Sequence, residues 1–134
     1  MTNEAMFVNG DCELYVTGEL SISGTAQIVM GDGSSLRLYV GGTNAVIGGN
    51  GVLNNGDASR FIYYGLSSNT QFTLSGPNTF TGCIYAPNAH VGFAGGGAIG
   101  LDFIGANVSR SVSLFGSVRF HYDEALRNIA TLVF

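Results

Sequence analysis

At 134 residues the chain is sized for one domain with a buried core that needs neither disulfides nor a metal to hold it. Its 21 glycines, two prolines, 46% hydrophobic and 10% charged residues exclude disorder, which goes with low hydrophobicity and high charge. The net charge of −4, with five scattered arginines and no lysine, excludes a basic nucleic-acid footprint, so no nucleic-acid partner is expected.

In chain order the same unit recurs: apolar, any, apolar, any, Gly, then three residues and another apolar one. It appears as "LSISGTAQI" from Leu20, "AVIGGNGVL" from Ala45, "FTLSGPNTF" from Phe72, "VGFAGGGAI" from Val91 and "VSLFGSVRF" from Val112. The starts lie 25, 27, 19 and 21 residues apart, the length of one turn of a β-solenoid. Each unit reads as a short strand of alternating inward and outward residues, a glycine able to take positive φ at a corner, and an apolar residue returning inward. A second strand precedes each unit: "LYVTG" from Leu14, "LYVGG" from Leu38, "FIYYG" from Phe61, "CIYAP" from Cys83 and "LDFIG" from Leu101. Ile28, Leu53, Phe80, Ile99 and Phe120 form the expected third apolar column.

One coil cannot bury its own apolar face, but coils stacked in parallel at about 4.8 Å fill a continuous core. The pattern therefore predicts an all-β fold, a parallel β-helix of about five coils over roughly 12–33, 34–56, 57–81, 82–100 and 101–121, capped by 122–134. Right-handedness follows from the strong bias of parallel crossovers. Within the fourth coil, Pro87 and Asn88 are expected to turn a corner, because Pro presets φ and Asn tolerates the left-handed region. Asn107, 19 residues on, is expected at the same corner one coil later. The stretch from Asn54 to Gln71 reads as a protruding loop. In "HYDEALRNIATLVF", Asp123 is placed to cap a short helix that presents Leu126 and Ile129 on one face and covers the last coil.

"FTGCIYAPNAHV" and "FHYDEAL", with the "LYVGG" and "LSISG" repeats, resemble a domain of bacterial surface and pilus-assembly-associated proteins related to choice-of-anchor surface domains. The resemblance implies a right-handed β-helix displayed outside the cytoplasm or at the cell surface as part of a larger protein, and it brings no catalytic residues. Any export signal or anchor would lie outside this sequence, which shows neither a secretory pattern nor an apolar run of about 18 residues, so the domain is not expected to insert in a membrane. The general architecture is also similar to that of bactofilins, although the "HYDEAL" ending points away from them.

Candidate chemistry is sparse. Cys12 and Cys83 fall about three coils, roughly 14 Å, apart, beyond disulfide reach, and are expected as free thiols. His90 and His121 lack metal-ligand spacing, so no metal and no cofactor is expected; a carboxylate beside His121, from Asp123 or Glu124, would tune it. Asp11, Glu13 and Glu19 form the densest acidic group, with no acidic counterpart in the next coil, and Asp57 with Arg60 reads as a solvated pair. No nucleophile motif appears, so catalysis has no support in the sequence.

The remaining candidate is a row of tyrosines, Tyr15, Tyr39, Tyr63 and Tyr85, at spacings of 24, 24 and 22 residues. Alternation places them outward on one side, either stacked on each other or as a contact surface for sugar rings or a protein. The functional expectation is a noncatalytic structural or adhesive module, with a surface polysaccharide or protein as its partner. The alternatives are carbohydrate binding or processing on the tyrosine face, and self-assembly through stacked ends. An ice-binding array would need threonines in line, and Thr17, Thr73 and Thr79 are not.

Overall fold

A computed structural model describes residues 1–48 and 50–128. Its strands are β1 (Ala5–Val8), β2 (Asp11–Val16), β3 (Leu20–Ile22), β4 (Gln27–Met30), β5 (Ser35–Val40), β6 (Asn44–Ile47), β7 (Gly51–Leu53), β8 (Phe61–Gly65), β9 (Gln71–Gly76), β10 (Thr79–Gly95), β11 (Leu101–Gly116) and β12 (Val118–His121). All their pairings are parallel, and each joins a strand to its equivalent one turn along. The result is a β-solenoid of about five turns in which β10 and β11 each run through several faces of one turn.

The first face stacks β2, β5, β8 and the middle of β10 and β11. The second stacks β3, β6, β9 and the ends of β10 and β11. The third contains β1, β4 and β7, then the beginnings of β10 and β11, and finally β12. Side chains pointing inward form continuous columns. Leu14, Leu38, Tyr63 and Ile84 run down the first face, and Ile22, Ile47, Leu74 and Phe93 down the second. On the third face Phe80, Phe103 and Phe120 stack on one another, with centroids 5.4 and 5.2 Å apart and Phe93 against Phe103. Most of these side chains are buried, each worth about 1.5–3 kcal/mol against exposure, and together they make one core along the axis.

Several expectations are corrected by register. The strand from Leu101 belongs to the third face: Phe103 lies opposite Phe80, and the first-face strand of the last turn begins at Gly105. Phe103, not Ile99, thus fills the apolar column, and Ile99 sits in a turn at 69% exposure. Val52, not Leu53, lies opposite Ile28, because β7 enters one residue out of phase with the repeat. Phe120 keeps its column but is exposed on the terminal layer.

Pro87 and Asn88 do coincide with the register shift between Ala86 and His90 that carries β10 around its corner, and the Asn88 side-chain amide donates to the Ser67 carbonyl (3.2 Å). Asn107 does not share that corner. It lies opposite Ile84 on an inward position, where its Nδ2 donates to Ser109 Oγ (3.0 Å). The expected loop from Asn54 to Gln71 does not protrude as a whole, because it contains the 3₁₀ turn Ala58–Arg60 and the buried strand β8.

The C-terminal expectation changes most. Asp123 does cap a short 3₁₀ helix, Glu124–Asn128, its Oδ1 accepting from Ala125 N (3.0 Å). The segment folds back along the outside of the first face rather than over the last turn. Asp123 Oδ2 accepts from Ala58 N (2.7 Å), and Leu126 is buried against Ala58, Ile62 and Cys83. Ile129 lies outside the described residues.

Where the chain passes from the third face to the first, Gly105 has φ +150°, and a Cβ there would stand 1.8 Å from the Gly82 carbonyl oxygen of the neighbouring turn. Gly105→Ala is expected to cost at least about 3 kcal/mol, read as a fall of about 10 °C in melting temperature. Gly96→Ala, with nothing within 4 Å of the added carbon, should leave the melt unchanged.

Candidate functional site

The outer side of the first face carries the tyrosine row. In register it is Tyr15, Tyr39, Tyr64 and Tyr85. Tyr15 and Tyr39 stack at 4.5 Å and 6°, Tyr39 and Tyr64 at 4.7 Å and 8°, and Tyr64 meets Tyr85 edge-on at 6.3 Å. The sequence expectation named Tyr63, and the structure corrects it. Phe61 occupies the inward position opposite Leu36, which puts Tyr63 inward and Tyr64 outward. Tyr63 is fully buried, stacked on Phe72 at 4.3 Å, and its hydroxyl donates to Asn69 Oδ1 (2.8 Å).

Asn69 is a residue that sequence reasoning missed. It is buried at a corner and its Nδ2 donates to the Gly42 carbonyl (2.9 Å), tying the third turn to the second. Its surroundings, Ser67 to Thr70, read only as polar loop; the available signal was the second of two adjacent tyrosines, which needs a buried partner for its hydroxyl.

Rings stacked at the spacing of the coils cover each other's faces. Both faces of Tyr39 are occupied, whereas the outer face of Tyr15, 62% exposed at the edge of the first turn, is open. Beside it, Arg37 Nη1 donates to Glu13 Oε1 (3.2 Å) and Ser35 Oγ to Asp11 Oδ1 (2.6 Å). Asp11, Cys12, Glu13, Ser35 and Arg37 line a shallow groove of about 350 Å³. The next outward column runs Glu13, Arg37, Ile62, Cys83 and Ala106, and it turns apolar where Leu126 covers it.

Other candidates are dispersed. Cys12 is half-buried in the first turn and Cys83 buried in the fourth, both as free thiols. Arg60 does not pair with Asp57 through its guanidinium, which reaches the Gly33 carbonyl (3.3 Å), while Asp57 Oδ1 accepts from Ser59 N (3.0 Å). His90 lies between Ser111 Oγ (2.7 Å from Nδ1) and Ser113 Oγ (3.0 Å from Nε2) on the second face. The carboxylate nearest His121 is Asp102 (3.5 Å), rather than Asp123 or Glu124. Asp102 also receives two bonds from Arg119 (2.6 and 3.1 Å), which hold its pKa below the ordinary carboxylate value. Among the described residues, no group of three His, Cys, Asp or Glu side chains is placed to hold a metal ion, and no helix is long and apolar enough to cross a membrane.

A parallel β-solenoid whose outward side chains form ladders along the coils is thus the class of protein defined here. The match to a family model extends over residues 3–129, so the chain belongs to the family described as a domain of unknown function, DUF7305. Among curated proteins and among solved structures, nothing matches the chain.

Burial pushes the Cys83 thiol up to about 11, with Asp123 and Asp57 adding to the effect, and burial raises Tyr63 above its ordinary value of 10. Both groups fold in their protonated forms, so their stabilisation is complete below the unfolded pKa and lost as pH rises through the folded one. The urea midpoint is expected to fall from about pH 9 upward, the Cys83 range coming first, and Cys83→Ala should remove that first part of the decline. Thiol labelling of the native domain should modify Cys12 and spare Cys83 until urea is added.

Proposed function

We propose that this domain is a noncatalytic structural or adhesive module of a bacterial surface protein, displayed outside the cytoplasm. The observation that carries the reading is the unbroken apolar core through about five turns. Such a core makes a rigid rod, about 24 Å long at 4.8 Å per turn, and leaves the outer faces to meet whatever the parent protein meets.

A second reading, recognition of a surface polysaccharide, is favoured by one feature: the open ring face of Tyr15 beside the polar groove of Glu13 and Arg37. A pyranose ring can stack on an exposed aromatic face while its hydroxyls bond to neighbouring charged groups. The stacked geometry ranks the tyrosines, because Tyr39 has no free face to offer.

A glycan array probed with wild type, Tyr15→Ala and Tyr39→Ala tests both readings. The expected outcome is retention by the wild type without cleavage of any glycan, about tenfold weaker in Tyr15→Ala, the scale of one aromatic stacking contact. Equal retention by all three proteins would remove the tyrosine face from the role, and turnover of a glycan would overturn the noncatalytic reading.

A further inference from the structure

The first turn leaves a sheet edge open. β2 pairs with β5 on one side and, among the described residues, with no strand on the other. Its inward side chains, Cys12, Leu14 and Val16, are only partly buried, while their equivalents Leu36, Leu38 and Val40 in the second turn are buried. Two apolar hollows, of about 270 and 170 Å³, lie against Leu14; the first is shared with Met6 and Leu20, the second with Met6, Val8 and Cys12. An unpaired edge above unfilled apolar space is the arrangement that accepts an added strand.

The outward side chains of the same strand say what such a strand would carry. They are Asp11, Glu13 and Tyr15, and Glu4 and Glu19 stand immediately before the flanking strands β1 and β3. On the occupied side of β2 the domain supplies its own answer. Strand β5, Ser-Leu-Arg-Leu-Tyr-Val, sets Ser35 against Asp11, Arg37 against Glu13 and Tyr39 against Tyr15. A carboxylate has lone pairs for donors on both sides, and Tyr15 has a second face.

We propose that the free edge of β2 is a strand-addition site for an extended segment of another polypeptide, one that carries a basic residue two positions before an aromatic one, with apolar residues at the alternate positions. A second copy of this chain does not fit. Two such edges facing each other would oppose their acidic side chains, which destabilises cross-strand pairing. The last turn of a second copy would present Ala106 where a base is required, Val108 where an aromatic ring is required, and Asn107 and Ser109 toward the apolar hollows. The inference is independent of the adhesive reading, since it concerns main-chain pairing at one end of the rod.

The test uses a labelled, end-blocked peptide containing Ser-Leu-Arg-Leu-Tyr-Val and the same peptide with Glu in place of Arg, titrated into the domain by fluorescence anisotropy. The arginine peptide is expected to bind about fivefold more tightly, the scale of exchanging a cross-strand ion pair for a like-charge contact. Glu13→Lys, at a half-exposed position, should reverse the preference, with its fold checked by circular dichroism. Hydrogen exchange should slow in Asp11–Val16 when the arginine peptide is present. Equal binding of the two peptides, no binding, or protection confined to other strands would overturn the proposal. So would sedimentation showing a dimer that Glu13→Lys dissolves, since a second copy would then hold the edge.

Discussion

Parallel pairing of each turn with its neighbours is the constraint on which everything else here depends. A single turn has three short strands and no inside of its own; its apolar residues leave water only when Leu38 lies over Leu14 and under Tyr63, and Ile47 over Ile22 and under Leu74. The same stacking sets neighbouring backbones so close that certain corners admit no side chain, as at Gly105 against Gly82. Register, core and corner chemistry are therefore one problem, solved once per turn.

The register that builds the core also orders the outside. Whatever points outward at one position of one turn meets its equivalents in the next, so the first face becomes a ladder of Tyr15, Tyr39, Tyr64 and Tyr85 beside a column that passes from Glu13 and Arg37 to Ile62 and Cys83. The column changes from charged to apolar where Leu126 lies on it, held by the bond from Ala58 N to Asp123. One half of the face is thus sealed by the chain's own C-terminal segment, and the other half, with Tyr15 and the acidic edge of β2, is left to solvent. The surface with chemistry to offer is the one that this covering leaves open.

Much of the fold was legible in the sequence because a repeat near 20 to 27 residues with alternating apolar positions and a corner glycine admits few structures other than stacked parallel coils. Three of the four ladder tyrosines, the Pro87–Asn88 corner and the two separate thiols were legible for the same reason. The errors share one origin. Pairing Phe61 with Leu38 looks natural in the sequence, yet the actual partner of Phe61 is Leu36, and a shift of that kind exchanges Tyr63 for Tyr64. The same kind of shift moved "LDFIG" from the first face to the third and turned Asn107 from a corner residue into an inward one.

What the sequence by itself determined is the period, the alternation and hence the parallel β-solenoid, since these are local patterns that any turn shows alone. Only the tertiary structure decided the phase of each strand, the buried partnership of Tyr63 with Asn69, and the return of the C-terminal segment to the outside of the first face. Those depend on which residues face one another across turns some 20 residues apart. Burial of Ile62 and Cys83 under Leu126 can compensate there for breaking the local pattern, and no window of sequence contains all the parties to that exchange.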